Sequence, residues 1–230
     1  VVNADDPVVA STVTAARKKF FSLDGDADAC LADGALVLDG EPLMDMADVR
    51  LSGAHNLANA LAASLTAAAF GAARPAIVRV LESFEGLEHR HRTVHTAAGV
   101  QWVDDSKATN VGATLAALKG YPDGAVHLIL GGQAKGQDFE PLGDEIRRAV
   151  ARLYLIGADG ALIGEQLEGS APQEMCTTLE EAVLRARRRA VAGLFVVLAP
   201  ACASFDQFAN YGERGDRFAL LAREEAGTCP

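Results

Sequence analysis

Val126–Gly157 reads VHLILGGQAKGQDFEPLGDEIRRAVARLYLIG, and its reading decides the fold. VHLIL is a short, unbroken apolar run, the mark of a strand buried on both faces. GGQAKGQDF is a glycine-rich loop, PLGDEIRRAVA has helical spacing, and RLYLIG is a second strand. A strand–helix–strand unit of this length makes a parallel pair with a right-handed crossover. The alternation continues through a helix DGALIGEQLEG, a weak strand QEMCTT, a helix LEEAVLRARRRAVA, a strong strand GLFVVLAP and a helical tail from Asp216. The fold class is therefore α/β, with a doubly wound, mostly parallel sheet. Such sheets bind ligands beyond the carboxyl ends of their strands. That rule selects four segments: VDDSKATN, GGQAKGQDF, IGADG and APACASFDQF.

Upstream, RTVHTAAGVQWVDD reads as a hairpin turning at Ala98-Gly99. Residues 1–84 have another texture, so the expected domains are 1–84 and 85–230. Asp6 and Pro7 suit the cap and first turn of a helix. Asp33-Gly34 and Asp39-Gly40 suit hairpin turns, and HNLANALAASLTAAAFG is an Ala-rich helix ending on Gly71. RPAIVRVLESFEG is a second helix, expected to bury Ile77, Val80, Leu81 and Phe84 and to stop at Gly86.

The chain has 230 residues, half of them hydrophobic, and a net charge of −10. That is enough for a real core, and the acidic balance argues against a nucleic-acid-binding protein. A local group of Lys and Arg can still hold an anionic small molecule. No apolar segment reaches the roughly 18–20 residues of a membrane span. The start, VVNADDPVV, is acidic, unlike a signal peptide, and has no initiator Met, so the chain is expected to be a piece of something longer. Cys30, Cys176, Cys202 and Cys229 are far apart, with no zinc-ligand spacing, and read as reduced thiols. Cys202, in PACASFD, has no His–Asn set beside it to make it a nucleophile. Arg185, Arg187, Arg188 and Arg189 follow Glu180 and Glu181 on one helix and read as a solvated face matched to the helix dipole.

Several segments could carry chemistry. WVDDSKATNVGAT, from Trp102, is a turn with far more charge and hydroxyl than a turn needs, including Asp105, Lys107 and Thr109. Lys135 sits at the tip of GGQAKGQDF, either as an exposed turn lysine or as a point cation for a carboxylate or phosphate. The order is not that of a P-loop. Ser204 stands where a helix would start, as an N-cap with Gln207 at the capping-box position, as an anion-holding hydroxyl, or as both. GLEHRHRTV, with Arg90, is either a ligand-facing cluster or a solvated linker. Asn56 and Asn59 share a helix face and could read a purine edge, unless Asn56 only caps the helix.

HNLANALAA, GLEHRHRTV, WVDDSKATNVGAT, LILGGQAKGQDF and LAPACASFDQFANYGERGDRF, in this order, resemble the Mur ligases from Asn3 to the last helix. Asp105-Ser106-Lys107-Ala108-Thr109 is the form of the branch that adds D-glutamate to UDP-N-acetylmuramoyl-L-alanine. The D-Y-A-H or D-G-A-H form of the diaminopimelate- and lysine-adding branches and of folylpolyglutamate synthases is absent, as is D-N-P-R.

The resemblance implies a cytoplasmic, monomeric, three-domain enzyme of peptidoglycan precursor synthesis that uses ATP and Mg2+. Residues 1–84 would be the end of its central ATP-binding domain, and 85–230 its complete Rossmann-like C-terminal domain. The P-loop, magnesium ligands and carbamylated lysine would lie in the missing part, so this chain would hold no metal ligands and be inactive alone. The reaction would phosphorylate the L-alanyl carboxylate, and the D-glutamate amine would then displace phosphate.

By the same resemblance Thr109 and Lys135 face one glutamate carboxylate, and Ser204 with Tyr211 the other. Asn56 and Asn59 face adenine. Arg90 and Asp105 reach phosphate and ribose, with Lys107 beside them as the catalytic position. Two departures stand out: Tyr211 replaces a frequent Phe, and Gln133-Ala134 precede Lys135 where Gly or Asp is common. Two rival readings are a stand-alone Rossmann-type module binding a nucleotide or dicarboxylate, and another amide ligase of the Mur or folylpolyglutamate type. The missing GxGxxG weighs against a dinucleotide binder, and the Asp-Ser-Lys motif against the second.

Overall fold

In the computed structural model, which describes residues 1–51 and 53–224, the chain divides after Gly86 into two compact units. The first carries a five-stranded sheet in the order β1 (Val2–Asn3), β2 (Phe20–Ser22), β3 (Ala29–Ala32), β4 (Ala35–Leu38) and β5 (Glu41–Asp45). β1, β2 and β3 run parallel, and β3, β4 and β5 form a meander. Both hairpins turn at the expected Asp-Gly pairs. Asp33, Gly34, Asp39 and Gly40 all have positive φ, the tight mirror-image turn that matches strand twist.

Helix α1 (Pro7–Ala10) is capped by Asp6, whose carboxylate accepts from Val8 and Val9 N–H. Helices α2 (Ala54–Ala69) and α3 (Arg74–Ser83) cover the sheet, with Leu61, Leu65 and Ile77 buried against Leu36 and Leu38. The face expected for α3 is narrower than its spacing implied. Ile77 is buried and Leu81 packs beside the core, but Val80 and Phe84 are exposed. Ten residues with one inward stripe are enough for a helix on the sheet's margin, and Phe84 is already past its end.

The second unit is built on a six-stranded sheet. In chain order its elements are β6 (Arg92–Ala97), β7 (Val100–Asp104), α4 (Val111–Leu118), β8 (Val126–Gly131), α5 (Gly143–Ala149), β9 (Val150–Ile156), α6 (Gly160–Gln166), β10 (Gln173–Met175), α7 (Leu179–Arg189), β11 (Phe195–Leu198) and α8 (Tyr211–Arg223). The strand order is β10-β9-β8-β11-β7-β6, parallel except for the β6–β7 hairpin, which turns at Ala98-Gly99.

Alternation is hidden inside uniformly apolar strands because both faces are covered. Val103, Leu128, Leu130, Leu153, Leu155 and Val197 face α4, α5 and α6, packing on Leu118, Ile146 and Ile163. Trp102, Ile129, Tyr154, Ile156, Val196 and Leu198 face α7 and α8, packing on Leu179, Val183 and Phe218. A one-residue slip in any strand would exchange these two sets. Three of the four arginines of α7 are paired rather than merely solvated, and Arg188 is exposed. Arg185 and Arg189 reach Glu174, and Arg187 donates to the Leu221 carbonyl and lies over the Trp102 ring.

Candidate functional site

The carboxyl ends of β7, β8, β9 and β11 run into the four segments singled out by the strand-end rule, and backbone bonds tie them together. Gln133 and Ala203 exchange two N–H···O bonds of 3.0 Å, joining the loop after β8 to the loop after β11. Gly132 N–H donates to the Ile156 carbonyl and Asp159 N–H to the Gly132 carbonyl, which adds the loop after β9. Side chains lock the same knot. Asp159 accepts from Ala134 N–H at 2.7 Å, and Asp206 accepts from Ala158 N–H at 2.9 Å. So close an approach needs glycine: a Cβ on Gly132 would strike the Ala203 carbonyl, and one on Gly157 would strike Asp206 and Gly132.

Gln137 is the hub of this knot. Its Nε2 donates to the Ala134 and Ala201 carbonyls at 3.0 and 3.1 Å, and its Oε1 accepts from Val111 N–H at 3.1 Å. One amide thus holds the loops that carry Thr109, Lys135 and Ser204. Lys135 is exposed, takes a left-handed backbone (φ 55°), and has its ammonium 5.7 Å from the Phe205 ring centre. Ser204 is buried (3% exposed) and Thr109 half-buried.

Ser204 is not a helix cap. Helix α8 begins seven residues later and is capped by Asn210, whose Oδ1 accepts from Glu213 N–H. Glu213 reaches back to Ala209 N–H, so the capping pair is Asn210 with Glu213. Gln207 instead donates to the Thr177 carbonyl. Asn56 does not cap α2 either. Gly53 occupies that position, and Asn56 and Asn59 lie within the first two turns of α2, in the first unit.

A second group surrounds a cavity of about 600 Å³ lined by Arg90, Lys107, Tyr211, His89 and Asn210. The Lys107 ammonium lies 4.0 Å from the Tyr211 ring centre, a cation–π contact, and Lys107 N–H donates to the His89 carbonyl. Tyr211 therefore groups with Lys107 and Arg90 rather than with Lys135. Asp105 is anchored by its N–H to the Leu198 carbonyl at 2.9 Å, and its carboxylate is 3.9 Å from His91 Nδ1.

Behind both groups sits Arg214, 1% exposed. Its guanidinium donates to Ser106 Oγ, to the Ser106 carbonyl and to the Cys202 carbonyl, so one side chain of α8 clamps the loops after β7 and β11. Ser106 Oγ in turn donates to the Tyr211 carbonyl at 2.7 Å. Burial pushes the Arg214 guanidinium down to about 10, against the pull of nearby Asp206 and Asp104. Burial likewise pushes the Cys202 thiol up to about 12 and leaves no exposed surface on it, which removes it as a nucleophile. Cys30 and Cys176 are also buried and unpaired by disulfide, and Cys229 lies outside the described residues.

Sequence reasoning missed Arg214, Gln137, Asp159, Asp206 and the pair His89–Asp104. None stands out by periodicity, since each acts on backbone groups or a partner far away in the chain. GLEHRHRTV did flag a cluster of titratable groups, though it singled out Arg90 alone. No group of three or more His, Cys, Asp or Glu among the described residues could hold a metal ion, and no helix among them is long and apolar enough to cross a membrane.

Known proteins resemble this chain. A family model described as "Mur ligase, glutamate ligase domain" matches residues 89–202. The UDP-N-acetylmuramoylalanine–D-glutamate ligase of Methylococcus capsulatus is 46% identical, over 98% of this chain and 50% of its own length. The ligase of the same name from Escherichia coli K12 is 45% identical, over 82% of this chain and 43% of its own. The chain thus spans about half the length of the curated relatives it matches. Two solved structures share the fold. A pseudomurein peptide ligase type C from Methanothermus fervidus has a TM-score of 0.69 at 14% identity, over 95% of this chain and 55% of that one. The UDP-N-acetylmuramate-alanine ligase of Thermotoga maritima has a TM-score of 0.62 at 13% identity, over 88% of this chain and 47% of that one. Through a C-terminal, glutamate ligase domain over residues 89–202, the chain belongs to the Mur ligase family.

Proposed function

We propose that this chain is the C-terminal half of a cytoplasmic, monomeric ligase. The enzyme joins D-glutamate to UDP-N-acetylmuramoyl-L-alanine through an acyl phosphate. On this reading residues 1–84 end the central ATP-binding domain, and 85–230 are the amino-acid-binding domain. The observation that carries it is the Gln137 knot, which brings the loops of Thr109, Lys135 and Ser204 together beside the cavity of Arg90 and Lys107. A dicarboxylate needs a cation and hydroxyl donors at fixed spacing. Lys135 and Thr109 serve one carboxylate, and Ser204 with its neighbouring backbone serves the other.

ATP supplies the phosphoryl group. Arg90 and Lys107, which line the same cavity, suit its phosphates, and Asp105 the ribose. Lys107, held over Tyr211, screens the charge that grows as the acyl phosphate forms. The magnesium implied by the family finds no fitting ligand set among the described residues.

The test is phosphate release by the full-length protein with the UDP-muramoyl-alanine precursor and a panel of amino acids. Turnover with D-glutamate is expected. Turnover with another amino acid in its place would refute the reading. The 230-residue chain alone is expected to give none.

A further inference from the structure

Asp104 ends β7 and is 2% exposed, with both carboxylate oxygens engaged. Oδ1 accepts from Ser106 N–H at 2.9 Å, and Oδ2 lies 2.7 Å from His89 Nδ1. With Oδ1 taken by Ser106 N–H, we assign the Oδ2 contact as Nδ1–H donating to the carboxylate. Burial pushes the Asp104 carboxyl up, and the His89 and Ser106 hydrogen bonds oppose that.

The ring is fixed from every side. His89 takes a left-handed backbone (φ 60°), which a non-glycine residue keeps only where its surroundings hold it there. Gly215 on α8 makes the room, since a Cβ there would collide with His89 Nδ1 and crowd Asp104. The Tyr211 ring meets the imidazole edge-on at 6.2 Å. The other nitrogen, Nε2, is 3.9 Å from the exposed carboxylate of Asp216 and belongs to a residue in the wall of the cavity shared with Arg90, Lys107 and Glu88.

We propose that Asp104 is a positioning residue and that His89 is the group it positions. With Nδ1–H committed to Asp104, Nε2 takes up a proton from solvent as the nucleotide binds, and the resulting Nε2–H donates to a phosphate oxygen held by Arg90 and Lys107. This rests on the ligase reading above. The buried carboxylate balances the charge of the imidazolium, as in other buried carboxylate–histidine pairs.

Side-chain amides separate the two nitrogens. In His89→Asn the amide mimics Nδ1–H and can still meet Asp104, but nothing replaces Nε2. In His89→Gln the amide reaches the Nε2 position instead. In the full-length protein His89→Asn is expected to keep the wild-type Tm and to lose about tenfold in kcat, with the KM for D-glutamate unchanged. His89→Gln is expected to lose less kcat and more Tm.

Imidazole 15N spectra give a second, activity-free readout. The resting wild type is expected to show the proton on Nδ1, and ATP is expected to shift Nε2. Asp104→Asn is expected to abolish both features. Wild-type kcat in His89→Asn, or an Nε2 signal unmoved by ATP in the wild type, would overturn the proposal. Should the wild type fail to use D-glutamate at all, the ligase reading falls, and the response of Nε2 to ATP still judges the pair.

Discussion

Single atoms decide much of this site. Gly157 has positive φ, and its missing Cβ is the space in which Asp206 meets Ala158 N–H. Gly136 also has positive φ, but nothing stands within 4 Å of where its Cβ would be. Gly157→Ala is therefore expected to cost several kcal/mol and Gly136→Ala only about 1 kcal/mol, the ordinary penalty of a left-handed residue. Equal losses in urea denaturation would contradict the close packing of the loops. Arg214 poses a related problem. Its hydrogen bonds go to neutral oxygens, so removing it leaves the Ser106 and Cys202 carbonyls buried without these donors. Arg214→Met is expected to destabilise by about 3 kcal/mol, measured by the same denaturation. A loss under about 0.5 kcal/mol would show that the two loops hold without the clamp.

At the scale of elements, the helices and strands of the second unit were largely legible, because buried parallel strands alternating with amphipathic helices leave strong marks. The four segments at strand ends followed from that order alone. Boundaries were less legible where one element runs into the next. Val150 and Ala151 carry helix-compatible spacing, yet they begin β9, because strand pairing with β8 outweighs one more helical turn. The start of α8 was missed for a similar reason. Ser204 and Gln207 have capping chemistry, but their segment stays as turns whose backbone closes against Gln133. What the sequence could not reveal are side chains that bind distant backbone, such as Gln137 and Arg214.

Helix α7 supports a pH prediction. Burial raises Glu180, but its hydrogen bond to Arg217 and its place at the helix start outweigh that and leave its carboxyl below the usual range. A carboxylate lowered on folding stabilises above its unfolded value of about 4.5 and loses that stabilisation as pH falls. With the pair half-exposed, solvent screening reduces its worth to roughly 0.5 kcal/mol. Glu180→Gln is expected to lower stability by that amount at pH 7 and to flatten its fall between about pH 5 and 3. An unchanged acid-side slope would contradict the pairing.

At the scale of the molecule, the chain joins a small mixed sheet with two helices on it to a doubly wound unit whose strand ends carry most of the candidate residues. The matched relatives are about twice as long, and the role proposed for this half is to select the incoming amino acid. Its central claim is that the knot of loops after β7, β8 and β11 is the D-glutamate site, with Lys135 its exposed cation. The most direct measurement is the KM for D-glutamate of Lys135→Ala in the full-length protein, with Lys119→Ala, outside the site, as the control. A rise of at least tenfold is expected for Lys135→Ala, about 1.4 kcal/mol or more of lost binding, and none for the control. An unchanged KM in Lys135→Ala would contradict it.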